Sequence, residues 1–186
     1  MRMRKKHIRS VVERLLAHNA IDAAPVPIED LAHALGVTVR RTPTDDHLSG
    51  FLLRNSGDGQ AMIGVNEAHH PHRQRFTIAH EIGHFLLHRG QDVYVDGRTE
   101  AGLKISLRDE EASMGTNPEE IEANVFAAEL LMPAALLGRD MASYGALDFL
   151  DDEDTLDIVL ETLASKYEVS KQALTYRLVN LEYVQL

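Results

Sequence analysis

A pair of histidines four residues apart, inside an apolar helical segment, constrains this chain more than any other feature. The segment His80-Glu81-Ile82-Gly83-His84 matches the pattern H-E-x-x-H. In an α-helix, positions i and i+4 differ by about 40° around the axis, so both imidazoles project from one face and can share a metal ion. Glu81 lies about 100° round from His80, within reach of a water molecule at that ion. The pattern predicts metal-assisted hydrolysis with Glu81 as general base.

The side chains around this pattern argue against a solvated surface helix. They are apolar on more than one side of the helix, namely Phe76, Ile78, Ala79, Ile82, Phe85, Leu86 and Leu87. Buried histidines need polar partners. The chain contains no cysteine, which leaves a site built from histidines and carboxylates, and neutral imidazole suits Zn²⁺. We therefore expect a zinc site.

A catalytic zinc site needs a third protein ligand and one open coordination position. His88 lies about 12 Å along the helix axis from His80, too far to bind the same ion. The third ligand is therefore expected on another helix. Residues 118–131 predict such a helix, which carries Glu119, Glu120, Glu122 and Glu129.

The angular positions of these glutamates distinguish them. Glu120 shares a stripe with Asn124 and two alanines, and small residues on that stripe let another helix come near. Glu122 and Glu129 share the opposite side, which we expect to face solvent. We predict Glu120 as the third zinc ligand, with Glu122 as the alternative. Asn124, one turn on, is placed to hydrogen-bond a ligating histidine or carboxylate.

The rest of the chain predicts a mixed α+β fold. We expect strands at Val37–Arg41, Ser49–Arg54 and Gln60–Val65, with a hairpin turn at 55–59 between the last two. Residues 89–117 are expected to form an irregular excursion with short strands. Further helices are predicted over residues 5–18, 28–36, 73–88, 154–167 and 170–181. We divide the chain into a domain over 1–150 and a helical segment over 151–186.

Charge and composition exclude several classes of protein. The net charge is −10, which argues against nucleic-acid binding by the whole surface. Residues 1–20 are basic, and we interpret them as a solvated helix face rather than a nucleic-acid site. No apolar run approaches the ~18–20 residues that span a bilayer, and no signal peptide is recognisable. We expect a cytoplasmic protein that does not enter membranes.

Two segments, Arg73 to His84 and Glu120 to Pro133, resemble the ImmA/IrrE metallopeptidases. The similarity covers most of residues 25–135. It implies a zincin-like fold with a small sheet beside the H-E-x-x-H helix. It also implies that His80, His84 and Glu120 bind zinc, with Glu81 as catalytic base. Members of this family are cytoplasmic proteases that cleave helix-turn-helix repressors and thereby relieve repression.

Residues 163–178 resemble a helix-turn-helix, with Ser170 as N-cap of the second helix. Lys166, Lys171 and Arg177 are the only basic residues there, fewer than a DNA-reading element usually presents. We expect a segment that packs on the protease or docks its substrate, and we do not expect direct DNA binding.

Three functional hypotheses follow from these patterns. The first is a zinc-dependent endopeptidase acting on a helix-turn-helix repressor. The second is a DNA-binding regulator with a vestigial metal site, and the third is a metal-stabilised interaction module without turnover. Glu81 favours the enzyme, because a structural zinc does not need a base beside it. The net acidity disfavours the regulator.

Overall fold

Two helices, three strands, a third helix and a fourth strand follow one another along the first half of the chain, and the elements described after Asn117 are helices. The computed structural model describes residues 2–44, 48–54, 61–88, 93–96, 117–144 and 153–184. In chain order the elements are α1 (Arg2–His18), α2 (Ile28–Ala34), β1 (Val37–Thr42), β2 (Gly50–Arg54), β3 (Ala61–Asn66), α3 (Pro71–Leu87), β4 (Val93–Asp96), α4 (Pro118–Leu131), α5 (Ala134–Ser143), α6 (Glu153–Tyr167) and α7 (Lys171–Asn180). The mixed α+β class predicted from the sequence is confirmed.

The four strands form one sheet in the order β1-β3-β2-β4. β2 and β3 pair antiparallel, with Gly50 opposite Val65 and Arg54 opposite Ala61, so the predicted hairpin is confirmed. Its turn, residues 55–59, lies outside the described residues. β1 pairs parallel with β3 and β4 pairs antiparallel with β2, two pairings that the strand patterns alone did not predict. Of the excursion predicted over 89–117, only β4 and Asn117 are described.

Glycine, serine and proline residues explain where several of the helices begin or end. Gly36 follows α2 with a φ of +77°, the left-handed conformation that a glycine accepts without steric cost. The Ser170 hydroxyl accepts a hydrogen bond from the Ala173 N–H, as predicted for an N-cap. Pro133 separates α4 from α5, because a proline cannot continue a helix that precedes it.

One hydrophobic core joins α1, the sheet, α3, α4 and the C-terminal helices. Ile63 of β3, Ile82 of α3 and Phe126 of α4 are fully buried in it. α6 and α7 contribute Tyr167 and Leu174 to the same cluster. The C-terminal segment therefore packs against the rest of the chain, whereas its resemblance to a helix-turn-helix stays a prediction.

Within the described ranges, no helix by itself has both the length and the apolar composition to cross a membrane. α4 and α5 reach that length and composition only as a pair, and they are bent by 44° relative to each other.

Candidate metal centre

The helix that carries the histidine pair is held at both ends. His70 is its N-cap, and the ring Nδ1 accepts a hydrogen bond from the His72 N–H. At the other end, Arg54 of β2 donates through Nη2 to the carbonyl oxygens of His84, Phe85 and His88, at 2.7, 3.1 and 2.8 Å. The His84 oxygen also accepts from the His88 N–H at 3.2 Å, and a cation is favourable at this end of a helix. The sheet therefore fixes the C-terminal turn of α3.

α4 begins where it does because Asn117 caps it and Pro118 follows. The Asn117 Oδ1 accepts from the Glu119 N–H at 3.0 Å, and proline at the first helical position is pre-organised for the helix. Glu120 therefore lies in the first turn of α4. This is the end of the helix where a carboxylate is favourable.

The two helices approach closely at Gly83. A Cβ atom built on Gly83 would lie 3.2 Å from the Cα atom of Ala123 and 3.1 Å from the Phe126 ring. Gly83 of α3 and the alanine stripe of α4 are therefore in contact. This contact brings the first turn of α4 to the histidine face of α3.

Three buried side chains that can ligate a metal ion lie close together at this contact. The His80 Nε2 lies 3.2 Å from Glu120 Oε2, the His84 Nε2 lies 3.1 Å from Glu120 Oε1, and the two Nε2 atoms are 2.9 Å apart. One ligand atom from each of the three residues lies within 4.8 Å of the other two. Two imidazole nitrogens and a carboxylate oxygen are a donor set that suits Zn²⁺. The group could therefore hold a metal ion.

The other ring nitrogen of His80 is also engaged. It lies 3.0 Å from the Asn124 Oδ1. Because an amide oxygen only accepts, His80 Nδ1 carries the hydrogen, and the lone pair of Nε2 is directed at the cluster. Glu81, on the same helix, is buried with 1% of its surface exposed.

His88, which lies too far from His80 to bind the same ion, instead contacts His84, a contact that the sequence did not predict. The His88 Nδ1 lies 2.9 Å from the His84 Nδ1. Its Nε2 lies 3.4 Å from Glu122 Oε2, and Glu122 Oε1 pairs with Arg4 of α1 at 2.6 Å. The i+4 spacing from His84 to His88 is a signal that could have indicated this contact.

The prediction that Glu122 and Glu129 face solvent is wrong. Glu122 is 9% exposed and Glu129 is 4% exposed. α1 packs on this side of α4 and supplies Arg4 and Arg9, while α7 supplies Arg177 to Glu129. Basic residues of distant segments therefore make burial of these carboxylates possible. Glu122 is directed to His88, and the structure brings Glu120 to His80 and His84.

A family model for the IrrE N-terminal-like domain matches residues 32–179, which is well over half of the chain. The chain belongs to the ImmA/IrrE metallopeptidase family. The resemblance inferred from the two motifs is confirmed, and the ImmA/IrrE match extends beyond them into α7.

Relatives in the ImmA/IrrE family are similar at moderate identity. The chain is 29% identical over 177 residues to the radiation response metalloprotease IrrE of Deinococcus radiodurans, covering 87% of this chain and 48% of the relative. It is 32% identical to the IrrE of Deinococcus deserti, over 68% of this chain and 46% of the relative. The metallopeptidase ImmA of Bacillus subtilis is 29% identical over 49% of this chain and 46% of its own length. The chain spans about half the length of the curated relatives it matches.

A solved structure shares the fold. It is titled a Mycobacterium tuberculosis transcriptional regulator, and it aligns with a TM-score of 0.56 at 15% identity, covering 93% of this chain and 46% of that one. At this identity the likeness concerns the fold alone.

Proposed function

We propose that this chain is a zinc-dependent endopeptidase that cleaves a helix-turn-helix transcriptional repressor in the cytoplasm and so relieves repression. The observation that carries the proposal is that His80, His84 and Glu120 each place one possible ligand atom within 4.8 Å of those of the other two. Family membership supports peptidase activity, and the motif resemblance supports the substrate class. An H-E-x-x-H glutamate beside the donors distinguishes such an enzyme from a structural zinc protein.

The residues divide the chemistry among them. His80 Nε2, His84 Nε2 and a Glu120 oxygen would hold zinc, which supplies polarisation of the scissile carbonyl and acidification of a water molecule. Glu81 accepts a proton from the attacking water and passes it to the departing amine nitrogen. Asn124 holds His80 in the tautomer that leaves Nε2 free to bind a metal.

The C-terminal segment over 151–186 serves, in this proposal, as a support for the peptidase domain over 1–150. Each of the three basic residues of this segment has an acidic partner. Lys166 pairs with Asp140 at 2.6 Å, Lys171 pairs with Asp157, and Arg177 pairs with Glu129. These ion pairs leave little charge for phosphate contacts, which favours packing over DNA recognition.

Glu81→Gln tests the proposal, because it keeps the size of the side chain and removes the base. We expect zinc content to stay unchanged and peptide cleavage to fall by about 10²–10⁴-fold. His84→Ala should instead lose the zinc. The matched control is Glu67→Gln, the same substitution at an exposed position, which should leave both properties unchanged. Cleavage at the wild-type rate by the Glu81→Gln protein would contradict the proposal.

A further inference from the structure

A groove of about 460 Å³ opens beside the candidate metal centre, between α1, α4 and α7. Its floor is the outward face of α4, formed by Ile121, Val125 and Ala128. Lys5 of α1 and Tyr176 of α7 form its walls. The volume lies in the range of about 300–1,000 Å³ that is usual for ligand pockets. We call this feature the α4 groove.

The α4 groove and the metal centre share side chains. Asn124 lines the groove, and its Oδ1 accepts the hydrogen bond from His80. Phe76 also lines the groove, and its ring centroid lies 6.3 Å from that of His80. A chain seated in the groove would therefore lie against two side chains that adjoin His80.

The chemistry of the groove selects its occupant. The floor is aliphatic, and Tyr176 presents a ring that is 56% exposed. The charged residues that line the groove are three cations and one carboxylate, namely Lys5, Arg9, Arg177 and Glu129. Arg9 and Arg177 share that carboxylate, so the groove is net positive on a chain whose net charge is −10. Apolar surface beneath a positive rim is complementary to an apolar segment that carries acidic residues.

We propose that the α4 groove is a substrate-binding subsite, which takes an apolar and acidic segment of the protein substrate on one side of the bond that is cut. This inference rests on the proposed peptidase function and adds a specificity to it. The rim attracts the acidic residues, and the floor of α4 buries the apolar side chain. The groove therefore acts on substrate binding and leaves the chemical step to Glu81.

Two matched peptides test the subsite. One is fluorescein-labelled and contains Leu-Asp-Leu-Glu, and the other contains Leu-Asn-Leu-Gln in the same flanking sequence. Binding is measured on the zinc-loaded Glu81→Gln protein, so that it can be read without cleavage, and cleavage is measured on the zinc-loaded wild type. We expect the acidic peptide to bind more tightly.

Charge reversal at the rim gives the sharpest variant. Lys5→Glu should weaken binding of the acidic peptide by about three- to tenfold and leave the amide peptide unchanged. Where wild type cleaves the peptide, the loss should be in KM and not in kcat. Lys6→Glu is the control, because Lys6 is exposed and does not line the groove, and it carries the same charge change on the same helix.

Filling the floor gives a second variant. Ala128→Trp should weaken binding of both peptides by about tenfold or more, with unchanged zinc content. Ala17→Trp on the exposed face of α1 is its control. Should Ala128→Trp fail to fold, the Lys5 and Lys6 pair still decides the question.

The outcomes separate the two proposals. Equal effects of Lys5→Glu and Lys6→Glu on binding would overturn the subsite, even if the wild type cleaves peptides. Selective binding that Lys5→Glu abolishes, with neither peptide cleaved by the wild type, would keep the groove as a binding site for apolar and acidic segments but overturn its place beside the bond that is cut. Dimerisation of the free protein that Ala128→Trp disrupts would assign the α4 groove to a second copy of the chain and overturn the subsite.

Discussion

Replacing Arg177 with methionine should destabilise the fold far more than the loss of a surface ion pair. The Arg177 Nη2 donates to Glu129 Oε2 at 2.6 Å and its Nε donates to the Met132 carbonyl at 3.0 Å. The two charged side chains are 8% and 6% exposed. Burial lowers the pKa of the Arg177 guanidinium, and the Glu129 carboxylate opposes that shift. The pair joins α7 to the end of α4.

The magnitude follows from what remains around Glu129. Removing one member of a buried pair costs about 3–5 kcal/mol, because the other charge is left buried without compensation. Arg9 stays 3.4 Å from Glu129 Oε2, and the Ala134 N–H still donates to Oε1 at 3.2 Å. We therefore expect the lower end, about 3 kcal/mol. For a chain of this size that loss lowers Tm by about 6–12 °C.

Thermal unfolding followed by circular dichroism measures the effect. Arg41→Met is the control, since Arg41 pairs with Glu29 through two nitrogens where the side chains are 43% and 50% exposed. That pair should contribute about 0.2–1 kcal/mol. The double variant Arg177→Met with Glu129→Gln should recover most of the stability, because it leaves no buried charge. A Tm loss for Arg177→Met no larger than that of Arg41→Met would refute the reasoning.

Three further outcomes are expected. His88→Ala should lower zinc affinity by about 10–100-fold in competition with a chelator, since it removes a hydrogen bond to His84, a ligand of the proposed zinc site; undiminished affinity would contradict this role. Gly83→Ala should lower Tm despite a helix-propensity gain of about 1 kcal/mol, because the new methyl meets the Ala123 Cα at 3.2 Å; a raised Tm would show that the helices can separate freely. The hydrogen bond from Arg41 lowers the pKa of the Glu29 carboxyl from its ordinary value of 4.5. The Arg41–Glu29 pair therefore stabilises the fold above pH 4.5, and this stabilisation is lost as the pH falls through the pKa of Glu29 in the folded state. The stability difference between Arg41→Met and wild type in urea should therefore shrink in acid, and a constant difference would rule out this linkage.

Local geometry made parts of the fold and site predictable. The i, i+4 spacing of His80 and His84 depends only on helix geometry. The same holds for the stripe on α4 that carries Glu120 and Asn124, whose side chains the structure places beside the two histidines. The predicted hairpin and the Ser170 cap likewise depend on a few neighbouring residues.

Features that depend on distant segments were not predictable. Periodicity alone placed Glu122 and Glu129 on a solvated side, because it cannot show that α1 covers that side of α4. The parallel pairing of β1 with β3 has no local signature either. Pairing between segments depends on which faces are buried after the chain has folded.

Because α3 and α4 are in direct contact at Gly83, the distances between the histidines and Glu120 do not depend on the length of the chain that joins the two helices. α3 and α4 are connected by residues 88–117, a segment that includes β4 of the sheet. The spacing of His84 and Glu120 is set by the packing of the two helices at Gly83 and not by the number of residues between them. A chain with a different number of residues between these two helices would keep the same donor set as long as Gly83 and Ala123 stay in contact.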